Sequence, residues 1–174
     1  FGNNGGAISD AYATGSVSGT GQYGSNSSPV GGLIGYLNGG TVANAYAAGA
    51  LTSGGAIGGL FGTGGGSVTH GYYDADSTGQ PYDGVTGLHT ADLEASLSNL
   101  GFNAAVWGNV NNQTTPYLLA LTGNPQTVFV AGAGTTPYSL LFPVGPVPPI
   151  TTPLSGDYAL ANSLNAATDR KSVV

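Results

Sequence analysis

Apolar residues in the first eighty positions come in short alternating bursts cut off by glycine, and the bursts repeat. Gly5-Gly6-Ala7-Ile8-Ser9-Asp10-Ala11-Tyr12-Ala13-Thr14-Gly15, Gly39-Gly40-Thr41-Val42-Ala43-Asn44-Ala45-Tyr46-Ala47-Ala48-Gly49 and Gly65-Gly66-Ser67-Val68-Thr69-His70-Gly71-Tyr72-Tyr73-Asp74-Ala75 share one register. Each has paired glycines, a β-branched residue two places on and a tyrosine four beyond that. A second block, Val30-Gly31-Gly32-Leu33-Ile34-Gly35 and Ile57-Gly58-Gly59-Leu60-Phe61-Gly62, runs between the units. The first unit leads the second by 34 residues and the second leads the third by 26, because a polar stretch from Thr20 to Ser28 adds a loop. Self-similarity at this period marks stacked, quasi-one-dimensional architectures. No run before residue 88 is long enough without glycine for a stable helix, so the pattern predicts short strands joined by turns.

One unit cannot fold alone. Burying its apolar side chains returns about 1.5–3 kcal/mol each, whereas fixing the backbone costs roughly 1–2 kcal/mol per residue, most for glycine. Stacked units share ladders and cover each other's apolar faces. Alternation places Ala11, Ala13, Gly15 and Val17 on one face, matched by Ala45, Ala47, Gly49 and Leu51 in the next copy. This small-residue face is taken as the inner wall, which turns Tyr12 and Tyr46 outward to stack across adjacent coils. Ile8 and Tyr12 share a parity, so the opposite assignment stays open unless Ser9-Asp10 is a turn. In the third copy Gly71, Tyr73, Ala75 and Ser77 occupy the wall, flanked by Asp74 and Asp76, as in a terminal repeat. The chain starts mid-unit at Phe1, and further coils are expected before it.

The second half has a different texture. Thr90 to Leu97 reads as a short helix with Thr90 as N-cap, acidic residues in the first turn, and Leu93 and Leu97 on one stripe. Phe102, Val106, Trp107, Tyr117, Leu118 and Leu119 follow as the densest large-apolar cluster, expected to plug the open end of the stack, where strand edges are unpaired. The organisation expected is therefore repeats over 1–80, a capping segment over 81–123, a Pro/Thr/Gly-rich linker over 124–153 with a short strand from Thr127 to Ala131, and a truncated further block over 154–174.

Composition narrows the function classes. There are no cysteines, which removes disulfides and zinc-thiolate sites, and only 6% of residues are charged, fitting an extracellular surface protein. A net charge of −6 with two basic residues, Arg170 and Lys171, leaves no basic patch for nucleic acid. No apolar run is long enough for a transmembrane helix and no signal peptide opens the chain, so any export signal is expected upstream of Phe1.

Gly31-Gly32-Leu33-Ile34-Gly35 followed by Gly40-Thr41-Val42-Ala43-Asn44-Ala45-Tyr46-Ala47-Ala48-Gly49 resembles the GLUG motif of large secreted bacterial adhesins of the filamentous haemagglutinin type. Gly87-Leu88-His89-Thr90-Ala91-Asp92-Leu93, Trp107-Gly108 and Pro116-Tyr117-Leu118 resemble the segment that closes such arrays, and Leu154 to Ala166 resembles the opening of a fresh block. The resemblance covers about two thirds of the chain. It implies an all-β fold, a right-handed parallel β-helix (β-solenoid) with a short C-terminal helix and capping segment and an irregular Pro-rich tail. It also implies a protein at the bacterial cell surface, exported through an outer-membrane transporter partner by two-partner secretion. The family's amino-terminal secretion domain is missing here, and Arg170 to Val174 does not continue the block. The motif is structural and carries no catalytic residues.

Three groups of residues could carry chemistry. Asp74-Ala75-Asp76-Ser77-Thr78-Gly79 has oxygen groups and a glycine spaced like an EF-hand loop, which makes Asp74, Asp76 and Thr78 candidate calcium ligands with Asp83 nearby. Val85 stands where the bidentate glutamate belongs, so a solvated turn is the stronger reading. Asp10, Asn44 and His70 fall at equivalent positions and predict a polar column across three coils. It offers one carboxylate where a glycosidase needs two, and the stronger reading is a turn position that tolerates polar residues. His70 and His89 read as ordinary surface residues. Tyr12, Tyr46 and Tyr72 form a candidate contact ladder for surface glycans or proteins of a host or neighbouring cell. Simple inter-coil stacking is the stronger reading of that row. The expectation is a non-enzymatic adhesive or stalk segment without cofactor, the alternative being a carbohydrate-active or carbohydrate-binding β-helix fragment.

Overall fold

The structure, a computed structural model, describes residues 1–19, 22–23, 26–27, 29–84, 86–121, 126–131, 138–141 and 158–160. The Pro-rich stretch 142–157, position 85 and the terminal residues 161–174 lie outside the described residues, as do the other interruptions.

The fold is β-rich. The chain makes three passes through one set of parallel ladders. The first pass contains β1 (Asn3–Asn4), β2 (Ala7–Ala13) and β3 (Val17–Gly19). The segment expected as a loop carries a small antiparallel pair, β4 (Gln22–Tyr23) with β5 (Asn26–Ser27). The second pass contains β6 (Val30–Gly31), β7 (Ile34–Ala47) and β8 (Leu51–Ser53), and the third β9 (Ile57–Gly58) and β10 (Phe61–Asp74). Three ladders stitch the passes together: β2 and β10 flank β7, β3 pairs β8, and β6 pairs β9, all parallel.

Register follows the repeat. Ile8 lies beside Val42 and Val42 beside Val68, and Tyr12, Tyr46 and Tyr72 are cross-strand partners in the same way. The paired-glycine blocks are required by close approach. A Cβ on Gly32 would come within 2.5 Å of both the Gly59 carbonyl oxygen and the Ala47 methyl, and one on Gly59 would enter the Tyr73 ring.

After β10 the chain makes a single helical turn, α1 (Ala75–Thr78), then β11 (Gly87–Leu88), α2 (Thr90–Ala95) and the antiparallel pair β12 (Trp107–Gly108) and β13 (Tyr117–Leu118). The turn α1 departs from the all-strand expectation before residue 88. It is short enough to be held by its caps alone, Asp74 at the start and left-handed Gly79 at the end. The helix α2 forms at the expected start but ends at Ala95, short of Leu97; its N-cap is His89 rather than Thr90, and Asp92 Oδ2 accepts the His89 N–H at 3.1 Å. A 3₁₀ turn, Leu119–Leu121, precedes β14 (Thr127–Val128), β15 (Tyr138–Leu141) and β16 (Tyr158–Leu160), which form a separate three-stranded sheet.

Two apolar cores lie on opposite sides of the long strands. Ile8, Leu33, Ile34, Leu37, Val42, Ala45, Ala47 and Leu60 fill the first, with Ala11, Ala13 and Tyr73 against it, so the alanines of the small-residue face line this core. Tyr46, Ala48, Leu93, Leu100, Phe102, Trp107 and Phe129 form the second. The cap therefore lies along the side of the stacked strands instead of plugging their end, as the sequence led us to expect. Of the third-pass edge, β11 pairs only with Tyr73 and Asp74. The physical reason is area: the outward faces of Tyr12, Tyr46 and Tyr72 offer far more apolar surface to cover than a strand edge does.

Candidate functional site

A column of three residues marks the bend in each long pass. Asp10, Asn44 and His70 each have φ of +50°, a left-handed conformation that Asp, Asn and His enter more readily than other side-chain-bearing residues. The bend resets side-chain parity, which is why Ile8 faces the inner core while Tyr12, four residues on, faces away from it. The side chains join along the column. Asn44 Nδ2 donates to Asp10 Oδ1 at 3.3 Å, and Asn44 Oδ1 lies 3.1 Å from His70 Nδ1. Trp107 Nε1 also donates to Asp10 Oδ1, at 3.0 Å. The expected column is thus real. It joins one carboxylate, one amide and one imidazole, and the carboxylate serves to hold the cap.

The tyrosine row is assembled and then covered. Tyr12 and Tyr46 stack with ring centroids 5.3 Å apart and planes 9° from parallel. Trp107 tilts against both, and Phe102 bridges Trp107 to Tyr72. Each hydroxyl reaches the cap: Tyr12 to Gln126 Oε1 at 2.9 Å, Tyr46 to the Pro116 carbonyl at 2.6 Å and Tyr72 to the Leu100 carbonyl at 3.0 Å. Thr14 and Thr127 meet through their hydroxyls. Tyr46 is wholly buried. Burial pushes its phenol well above the ordinary range and that of Tyr12 up to about 12, so both stay neutral donors. As a ladder open to an outside partner the row is corrected at Tyr46, which the cap buries, while Tyr12 and Tyr72 are partly buried and pack against the cap.

The segment from Asp74 to Gly79 is a capped helical turn that is only partly solvated: Asp76 and Gly79 are exposed, whereas Asp74, Ala75, Ser77 and Thr78 are buried. Asp74 is fully buried and its carboxylate accepts from the Asp76 and Ser77 amides and the Thr90 hydroxyl. Thr78 turns its hydroxyl back onto the Asp74 carbonyl. Asp76 points the other way, to His89 Nδ1 at 2.8 Å and the Thr90 amide at 3.0 Å. These donors, the His89 contact first, hold the Asp76 carboxyl below its usual range, and the same contact raises His89. Tyr82 stacks on the His89 ring at 4.2 Å. Asp83 folds back onto the Thr86 and Gly87 amides at 2.7 Å. The calcium-candidate side chains Asp74, Asp76 and Thr78 are therefore spent on caps and on the α1–α2 joint. Among the described residues no three His, Cys, Asp or Glu side chains gather as a metal site would require.

Sequence reasoning missed Glu94. The helix reading placed its acidic residues against the macrodipole, yet Glu94 is only 3% exposed and its Oε1 has no hydrogen-bond partner. Burial, with the Asp74 charge added, lifts its carboxyl to about 7. Its position one residue after Leu93, the apolar anchor of α2, was the available signal. Compared with protein-family models, curated proteins and solved structures, the chain matches none of them.

Proposed function

We propose that this chain is a structural segment of a secreted bacterial surface protein, built as a right-handed parallel β-solenoid and acting as a rigid stalk or contact surface. The supporting observation is the register itself: Ile8, Val42 and Val68, the column Asp10, Asn44 and His70, and Tyr12, Tyr46 and Tyr72 each recur at equivalent positions of parallel passes. A repeat that propagates by stacking extends without a new core design, which suits a stalk. The sequence likeness to GLUG-type adhesin repeats favours a surface location and two-partner export of the parent. Covering of the tyrosine row favours the stalk over a tyrosine-borne adhesive strip, so glycan or protein contacts would fall on other faces.

Labelling intact and permeabilised producing cells with antibody to the purified chain tests the reading. Equal labelling of intact cells is expected. Labelling only after permeabilisation refutes a surface role.

A further inference from the structure

Glu94 and Asp74 are two carboxyl groups buried at the same joint, where α2 packs against α1 and the end of β10. Asp74 has its hydrogen bonds, whereas Glu94 Oε1 is buried without one. The groups that act on this joint are themselves acidic or shared: Asp76 on α1 pairs with His89, and Asp92 on the outer side of α2 accepts from the His89 amide. The segment after the cap strand contributes Asn109 and Asn112, both of which donate to the Glu94 backbone carbonyl and leave its side chain alone. The two basic side chains, Arg170 and Lys171, lie outside the described residues. The hydrogen bonds that steady Asp74 do not extend to Glu94 Oε1, and among the described residues no cation pairs with the Glu94 side chain, so an ionised Glu94 within reach of the Asp74 charge has its desolvation uncompensated. A proton on Glu94 removes the conflict.

We propose that Glu94 is a pH-sensitive latch between the strand stack and its cap, neutral and closed in mild acid, ionised and loosened in mild alkali. The location makes the latch consequential. Leu93, its immediate neighbour, is fully buried in the core that covers Tyr46 and Trp107, and the Glu94 carbonyl ties α2 to the 109–112 segment. The sign follows from linkage. A carboxyl whose proton is held more tightly in the folded chain keeps that proton after the unfolded chain has released its own. Stability is then full below the unfolded carboxyl value and falls as pH rises toward the folded one.

The test compares the unfolding equilibrium of the wild-type chain with that of Glu94→Gln by urea titration across about pH 5 to 8. His89 changes charge in the same window and adds a loss in the same direction, so the readout is the difference between the two proteins. The wild-type unfolding constant is expected to rise roughly 30- to 100-fold more than that of the variant across the window. Parallel curves overturn the proposal. Carbon-13 detection of the Glu94 side-chain carboxyl in the wild-type chain needs no variant: a midpoint near neutrality supports the latch, and one in the ordinary glutamate range overturns it. Millimolar calcium at the alkaline end that stabilises the wild type but not the variant also overturns it, since a cation would then be the native counter-charge.

Discussion

The indole N–H of Trp107 donates to Asp10 Oδ1 at 3.0 Å across 97 residues of sequence. This one bond joins the outermost member of the polar column to the centre of the cap. Asp10 holds a left-handed bend in the first pass, and Trp107, only 1% exposed, packs on Tyr12, Tyr46 and Phe102. Cap and stack are therefore one folding unit in their packing, although no sequence pattern links them.

Trp107→Ala should destabilise the chain by about 3–5 kcal/mol, the usual cost of emptying a buried aromatic site. Trp107→Phe keeps most of the packing but removes one of the two hydrogen bonds that Asp10 Oδ1 accepts, leaving that from Asn44, and should cost about 1–2 kcal/mol. Urea unfolding followed by far-UV circular dichroism measures both. Because Trp107 is the single tryptophan, wild-type emission should be blue-shifted and move red with the same midpoint.

At Asn44 the backbone conformation and the side chain can be separated. Asn44→Ala keeps the β-carbon in a left-handed site without the short polar side chain that eases that conformation, and removes both column hydrogen bonds, for a loss of about 2–3 kcal/mol. Asn44→Gly relieves the backbone cost and should lose only about half as much. Equal losses would mean that φ of +50° is not what the residue is there for.

Tyr46→Phe deletes the hydroxyl that satisfies the buried Pro116 carbonyl at 2.6 Å. A loss of about 1–3 kcal/mol is expected, because the carbonyl is left unpaired in a dry place. The same change at Tyr72, a partly buried residue, should cost less than at Tyr46. Thermal unfolding of the two variants ranks them.

His89 and Asp76 make a pH-dependent pair. The His89 value is raised, so its contribution is full below the unfolded histidine value and disappears as pH rises through the folded one. The Asp76 value is lowered, so its contribution is present above the unfolded carboxyl value and disappears as pH falls through the folded one. His89→Gln should therefore lower the melting temperature most in mild acid, near pH 5 to 6, and little above about pH 8. A deficit that is the same at every pH would assign the effect to the Tyr82 stack instead.

Gly59→Ala should prevent ordered packing of the third pass, because its methyl would occupy the Tyr73 ring position. Pairing it with Tyr73→Ala should recover part of the loss, measured as amide protection in β10. No recovery would show that the tyrosine is not the obstacle.

Within each repeat unit the sequence was sufficient for register. Glycine pairs, β-branched residues and the Asp10, Asn44 and His70 positions recur at fixed spacing along a strand, but Ile8 and Tyr12 share a parity, so which face each side chain takes was decided by the left-handed bend at Asp10, Asn44 and His70. The helix at 90–95 was legible from its periodicity, although which residue capped it was not, since Thr90 turned its hydroxyl to Asp74 instead. What covered the tyrosines was decided only in three dimensions. A strand has two faces, and its own sequence states how much apolar area each presents but not which distant segment will reach it. Trp107 meets Asp10, and Glu94 is sealed beside Asp74, because the cap folds back along the side of the strands. That choice depends on matching surfaces brought together by the whole chain, and short-range periodicity holds no record of it.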